Sequence, residues 1–341
     1  MWFTNSTAVQ GRNHIKENIP CQDKVYTNKT ENTVVIALAD GAGSACLSHI
    51  GAEICVKTIS NYFIDKFNEL YDLNNFELLK KDIYKTLINS IKQASMMYNC
   101  SIKDLACTLL CIAIKNEQMI SFHLGDGVIA YIKGDKTGIM SMPDNGEFAN
   151  TTHFVTSSNA TEHIRIQRLD CSTFDGFFLM SDGAGTSLYD PQKKIFSNAL
   201  KRIVDLSMMY SEEDVYDEIT NFFEQSVKMK TFDDCSIAFI ARYKSIVSTF
   251  SSLSHNEQFE MLEIKKNTHS KKIYQRFLTL LSLFETEKSV TYISRKLHLK
   301  PKYCSKYICT LIECGLIKKV RNNVYINSNV PLIKGKCLAE K

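Results

Sequence analysis

Five aspartates recur at one kind of place in this chain, the point where an apolar run meets a turn. Asp40 closes the run 34–39, Asp126 follows 119–124, Asp182 follows 176–180, and Asp233 stands just ahead of 235–241. Asp23 precedes a short strand-like stretch, 24–27. Apolar runs of this length bounded by turn residues read as buried strands. Carboxylates at strand ends can converge on one edge of a sheet, where they repel each other unless a cation holds them. Hard divalent cations such as Mg²⁺ or Mn²⁺ take oxygen ligands of this kind. Two such ions about 3.5–4 Å apart clamp a phosphoryl group and lower the pKa of a shared water. The competing reading is plain turn chemistry, because Asp-Gly is a strong hairpin signal and Asp126-Gly127 fits a type I′ turn between two strands. Asp175-Gly176 is read that way. Five acids in matching contexts shift the balance toward a site.

The 341 residues exceed one ordinary domain and point to about two. With 44% hydrophobic and 23% charged residues the chain is globular in composition, neither disordered nor collagenous. No run approaches the ~18 apolar residues that span a bilayer, and no export signal is visible at the start. The twelve cysteines contain no C-x-x-C pair. They read as reduced core thiols of a cytoplasmic protein rather than as disulfides or a zinc site. Helical spacing covers 48–67, 76–97, 193–208 and 212–227, and strand-like runs cover 105–114, 119–124, 128–132, 176–180 and 235–241. Their alternation implies helices layered on a mixed or antiparallel sheet.

Charge divides the chain. Residues 265–341 carry 17 Lys and Arg against 4 Asp and Glu, a net +13, whereas residues 1–264 carry 24 against 33, a net −9. Such asymmetry implies domains with different partners. The serine-rich stretch after residue 243 reads as a surface linker, with a short helix near 258–264. The expected organisation is a catalytic domain over 1–243, a linker over 244–267, a small basic domain over 268–330 and a tail over 331–341.

Ala37-Leu38-Ala39-Asp40-Gly41-Ala42-Gly43, Ala106-Cys107-Thr108, Leu124-Gly125-Asp126-Gly127, Leu179-Met180-Ser181-Asp182-Gly183 and Asp233-Asp234-Cys235-Ser236 occur in this order. In that order they resemble the metal-dependent protein phosphatases of type 2C. Gly11, His14 and Pro20-Cys21-Gln22-Asp23 resemble the bacterial branch, and 143–152 is similar to its flap. The resemblance covers roughly residues 9–242. It implies an α+β fold, a four-layer αββα sandwich, hydrolysing phosphoserine and phosphothreonine of a protein substrate with two Mn²⁺ or Mg²⁺ ions. By position, Asp40 would bridge the ions, the Gly41 carbonyl would bind one, Asp182 and Asp233 would ligate the second, and Asp23 would support the first. Asp126 matches an acid that helps hold a third ion in some members. Four places depart from the pattern: Ala42 where some members have histidine, Asn18 where many have a phosphate-gripping arginine, Gln22 for Glu, and Thr186 for Asp. Arg12 and His14 are the substrate-binding candidates that remain.

In the basic segment, 271–284, 289–297 and 301–314 read as three helices, the last opened by Pro301 and stopped by Gly315. Residues 316–320 and 324–326 flank Arg321-Asn322-Asn323 as a hairpin. This pattern resembles a winged helix over about 268–328, with Lys302, Lys306, Lys318, Lys319 and Arg321 as DNA phosphate contacts. The alternative is protein contact or dimerisation. Tyr303 and Tyr307 read as packing residues. The expected function is a metal-dependent serine/threonine phosphatase placed on DNA or on a partner by its winged helix. The alternative is a phosphatase-fold regulatory protein, weak or inactive in catalysis.

Overall fold

A computed structural model describes residues 2–142, 152–209, 212–242, 247, 250–251, 253–265 and 268–328. The segment 143–151 of the expected flap and the tail 331–341 lie outside the described residues. The chain divides into two compact units, Met1–Tyr243 and Lys244–Lys341.

The first unit opens with β1 (Trp2–Val9), the short helix α1 (Arg12–Glu17), β2 (Lys24–Lys29) and β3 (Thr33–Ala39). Two long helices follow, α2 (Ser48–Asp72) and α3 (Phe76–Met97). Asn75 starts α3 as its N-cap, its side chain accepting from the backbone N–H groups of Glu77 and Leu78. Strands β4 (Leu109–Lys115), β5 (Gln118–Leu124), β6 (Val128–Lys133), β7 (Lys136–Ser141), β8 (Arg165–Asp170) and β9 (Gly176–Met180) come next, with α4 (Ala160–His163) before β8. Then come α5 (Asp182–Leu188), a small hairpin of β10 (Tyr189–Asp190) and β11 (Ile195–Phe196), α6 (Ala199–Met209), α7 (Glu212–Phe222) and β12 (Cys235–Arg242).

The long strands form two five-stranded antiparallel sheets, ordered β1-β12-β9-β6-β7 and β2-β3-β4-β5-β8. Period-2 alternation divides each strand between two cores. Ile36, Leu38, Leu110 and Ile112 of one sheet pack against Ile129, Phe177, Leu179 and Ile240 of the other. Val35, Ala37, Cys111 and Phe122 face α2 and α3 on the far side. Phe178, Met180, Ile237 and Phe239 face α5, α6 and α7. The result is helix, sheet, sheet, helix, each interface closed by side chains that are almost wholly buried.

Gly125-Asp126-Gly127 is not the hairpin turn that its sequence favours. β5 and β6 belong to different sheets, so the chain crosses here from one layer to the other. Gly125 takes φ 116°, which an L side chain rarely adopts, and a Cβ there would lie 2.5 Å from the Thr108 side chain. The run 105–114 also splits: Ile102–Leu105 is a 3₁₀ turn, and the strand starts at Leu109. Likewise the helix expected over 193–208 starts only at Ala199, because the β10–β11 hairpin takes the preceding residues.

In the second unit, helices Ser270–Leu283, Val290–Lys296 and Pro301–Glu313 pack on a three-stranded sheet ordered β13 (Lys288–Ser289), β15 (Val324–Asn327), β14 (Ile317–Arg321). Gly315, with φ 69°, ends the last of these helices. The stretch expected as a surface linker contributes to this core: Phe250, Leu262 and Ile264 are buried with Phe277, Leu280 and Phe284. Its serines misled because Ser254 is a helix cap, in a capping box with Glu257 ahead of helix His255–Met261. The described cysteines are all free thiols.

Candidate active site

Antiparallel register brings the acids together. Lys24 pairs with Ala39, Leu109 with Leu124, Val128 and Ile237 both with Met180, and Val9 with Cys235. Asp23, Asp40, Asp126, Asp182 and Asp233 therefore all emerge at the same end of the sandwich, from both sheets. Asp40, Asp126, Asp182 and Asp233 line one cavity of about 250 Å³, together with His14, Gln22, Gly41, Ala42, Gly43, Thr108, Thr152 and Phe154. No lysine or arginine is among these lining residues. Asp23 sits deeper, 1% exposed, with the Ser236 and Ser181 hydroxyls beside it but neither carboxylate oxygen in a well-aligned hydrogen bond.

Backbone clamps hold the acids in place. The Asp40 N–H donates to Thr108 Oγ1 at 3.0 Å, and the Thr108 N–H returns a bond to the Asp40 carbonyl at 2.8 Å. Asp182 Oδ1 accepts from the Gly183 N–H at 2.6 Å, and Asp233 Oδ1 from the Asp234 N–H at 2.9 Å. Asp126 Oδ2 accepts from Thr152 Oγ1 at 2.5 Å, whereas its Oδ1 has no partner. Beneath the crossover, His123 bridges the sheets through Ser141 Oγ at 2.7 Å and the Gly125 carbonyl at 3.2 Å. Burial, then the Arg165 charge, pushes its pKa down to about 3, so the ring stays neutral.

Crowded carboxylates shift each other's pKa. Burial, reinforced by Asp23, Asp182, Asp126 and Asp233, lifts Asp40 well above the usual carboxylate range. Burial also raises Asp23 to about 7, and burial with Asp126 and Asp233 raises Asp182 to about 6. Among the described residues no three His, Cys, Asp or Glu side chains are drawn into a closed ligand set. The acids instead line the open cavity.

The other expected site residues lie as follows. Arg12 is absent from the cavity lining; its Nε donates to the Thr231 carbonyl at 3.0 Å and its guanidinium stacks 4.3 Å from the centre of the Phe232 ring. His14 does line the cavity. Asn18 ends α1 with φ 56°, a left-handed conformation that asparagine tolerates better than most residues. Thr186 turns inward, its hydroxyl donating to the Gly183 carbonyl at 3.1 Å. On the second unit, Lys302, Lys306, Lys319 and Arg321 are exposed and Lys318 is half-buried. Tyr307 packs on Phe277 as expected, whereas Tyr303 is 58% exposed, because its place in the helix faces away from the core.

Sequence reasoning gave Asp234 no role. It is 2% exposed, accepts from the Gly11 N–H and the Gln22 N–H at 2.6 Å each, and lies 2.9 Å from His14 Nδ1. The available signal was the adjacent pair Asp233-Asp234 at a strand start, where one acid faces the cavity and the next must face inward.

Known proteins agree with this architecture. The profile of the family described as Protein phosphatase 2C matches residues 10–224. The chain belongs to that family, which is metal-dependent, with Mn or Mg in general, and its enzymes are hydrolases acting as serine/threonine protein phosphatases. Serine/threonine-protein phosphatase 3 of Escherichia coli (strain K12) is 26% identical over 180 residues, 51% of this chain and 69% of that protein. A bacterial serine phosphatase crystal structure has the same fold, with TM-score 0.50 and 13% identity over 72% of this chain and 99% of that one. The serine/threonine phosphatase Stp1 from Staphylococcus aureus matches 71% of this chain and 95% of its own, at 14% identity and TM-score 0.46.

Proposed function

We propose that the first unit hydrolyses phosphoserine and phosphothreonine in a protein substrate, using Mn²⁺ or Mg²⁺ held by Asp40, the Gly41 carbonyl, Asp182 and Asp233, with Asp23 in support. The observation that carries this reading is the donor set itself. Four carboxylates line a cavity with no lysine or arginine, above a fifth carboxylate, Asp23, that is almost wholly buried with no cationic side chain among the groups acting on it. An all-oxygen, anionic set of this kind fits hard divalent ions rather than zinc or copper. Bound there, such ions would neutralise phosphoryl oxygens and lower the pKa of the attacking water. Asp126, with one free oxygen, is the donor for a weaker third ion, but Thr186 offers it no second carboxylate. The chain's own residues set the geometry: Thr108 fixes Asp40, Asp234 fixes the stretch from Gly11 to Gln22 that carries His14, and Thr152 donates to Asp126. His14 is the basic side chain left in the cavity to meet the phosphate. The test is Mn²⁺-dependent hydrolysis of a phosphothreonine peptide by the full chain beside Asp40→Ala and Asp233→Ala. Activity that requires the ion and disappears in both variants supports the reading. A folded wild type inactive at every Mn²⁺ concentration would move the function to the second unit.

A specific observation favours a second role. The order of helices and strands in 268–328, with a three-stranded sheet of order β13-β15-β14, resembles that of a winged helix, and Lys302, Lys306, Lys319 and Arg321 are exposed on this unit. We infer that this unit binds DNA phosphates, with the 301–313 helix in the major groove. Binding of a duplex by the full chain should weaken steeply with salt. Lys302→Ala with Lys306→Ala should flatten the log–log slope by about 2. A slope unchanged in the double variant would leave partner-protein docking as the role of the unit.

A further inference from the structure

We propose that His14, backed by Asp234, is the proton donor to the leaving serine or threonine oxygen; the proposal rests on the phosphatase reading above and adds a catalytic role to that site.

Expulsion of an alkoxide from phosphorus is slow unless a proton reaches the oxygen as the P–O bond breaks. The place after Asp40-Gly41 carries Ala42, which has no proton to give. Among the residues that line the cavity, His14 carries the sole imidazole, the side chain that can donate a ring N–H proton to a departing oxygen.

Three observations give that imidazole a built setting. Asp234 Oδ1 lies 2.9 Å from Nδ1, within ion-pair distance though not in hydrogen-bond alignment, and this leaves Nε2 as the nitrogen to meet substrate. Asp234 is itself fixed, 2% exposed and gripped by the Gly11 and Gln22 N–H groups at 2.6 Å. The His14 side chain is only 14% exposed, so its ring is held against the cavity rather than waving in solvent. A buried carboxylate behind one ring nitrogen orients the ring. This is the division of labour in which an acid positions a histidine and the histidine moves the proton.

The step balances. The oxygen of a water forms a bond to phosphorus as the bond to the serine or threonine oxygen breaks. The departing oxygen takes the proton of Nε2 and leaves as a hydroxyl. The attacking water gives up one proton to solvent, and solvent returns one to His14 before the next turnover. Products are the unmodified side chain and inorganic phosphate.

The experiment varies the leaving group. His14→Ala and His14→Gln are compared with the wild type in Mn²⁺ on a phosphothreonine peptide and on p-nitrophenyl phosphate, whose leaving group is already a stable anion near neutrality. Thermal melts with and without Mn²⁺ verify folding. The expected result is a fall in kcat on the order of 100-fold or more with the peptide, and a much smaller fall with p-nitrophenyl phosphate, in both variants. Equal losses on the two substrates would overturn the proposal, because His14 would then only hold the phosphate. No loss on either would overturn it as well. A wild type inactive on both substrates refutes the phosphatase reading instead, an outcome distinct from the other two.

Discussion

Asp234 makes a quantitative claim on stability. It sits at 2% exposure and serves as the acceptor for two backbone N–H groups, those of Gly11 and Gln22, at 2.6 Å each. Asp234→Ala removes both acceptors at once. A buried donor left without a partner costs about 1–3 kcal/mol, so the two together predict a loss of about 2–6 kcal/mol. The lower half of that range is the expected result, because removing this charge also relieves its repulsion of buried Asp23. For a unit of this size that lowers Tm by roughly 5–15 °C. Asp234→Asn keeps one acceptor oxygen and should lose about half as much. The assay is urea unfolding of the full chain, following the transition of the first unit. Since the segment between the two donors carries His14 and Gln22 into the cavity, hydrolysis should fall together with stability. A change below about 0.5 kcal/mol for Asp234→Ala, within the range of ordinary surface substitutions, would refute the reasoning: water would then satisfy the two donors and Asp234 would fasten nothing.

Three further outcomes are expected. Asp23, Asp40 and Asp182 have raised folded pKa values, chiefly through burial. At these three groups the folded chain holds more protons than the unfolded one above pH 4, and their contribution to stability without divalent ions falls as pH rises from about 4 to 7. Melting in EDTA should show a lower Tm at pH 8 than at pH 5, and added Mn²⁺ should raise Tm more at pH 8; an ion effect equal at both values contradicts this. Asp40→Asn should abolish Mn²⁺-dependent hydrolysis yet raise Tm in EDTA at alkaline pH, since it removes a carboxyl whose ionisation burial and its acidic neighbours oppose; a lowered Tm would show that Asp40 is structurally required. Gly11→Ala should destabilise by about 2 kcal/mol or more, because its Cβ would lie 2.4 Å from the Asp233 carbonyl carbon; an unchanged urea midpoint would mean that the loop shifts freely.

The parts of this architecture that were legible in the sequence are those governed by local rules. Phe76–Met97 and Gly176–Met180 have the bounds that periodicity assigns, because each is a strong amphipathic or apolar pattern between clear stops. The acids could be picked out because each stands near one terminus of a strand-like run. What local pattern hid is partnership across the fold. Asp126-Gly127 looks like a hairpin turn, yet its flanking strands enter different sheets, a choice made by the packing of whole layers. Asp234 reads as a duplicate of Asp233 until the Gly11 and Gln22 N–H groups arrive from more than 200 residues away. Phe250, Leu262 and Ile264 look stranded among serines, and only the core of the second unit explains them. Tyr303 and Tyr307 are four apart on one helix, but Phe277 captures only the second.

The two sheets also share a mechanical fate. Asp40 hangs from the sheet of β3, whereas Asp182 and Asp233 hang from the sheet of β9 and β12. Any ligand that engages all three becomes a rivet through the open end of the sandwich, beside the protein links made by His123, the Gly125–Gly127 crossover and the Asp234–Gln22 bond. Peeling the layers apart then requires that ligand to leave first, so occupancy sets the lifetime of the folded state as well as its chemistry.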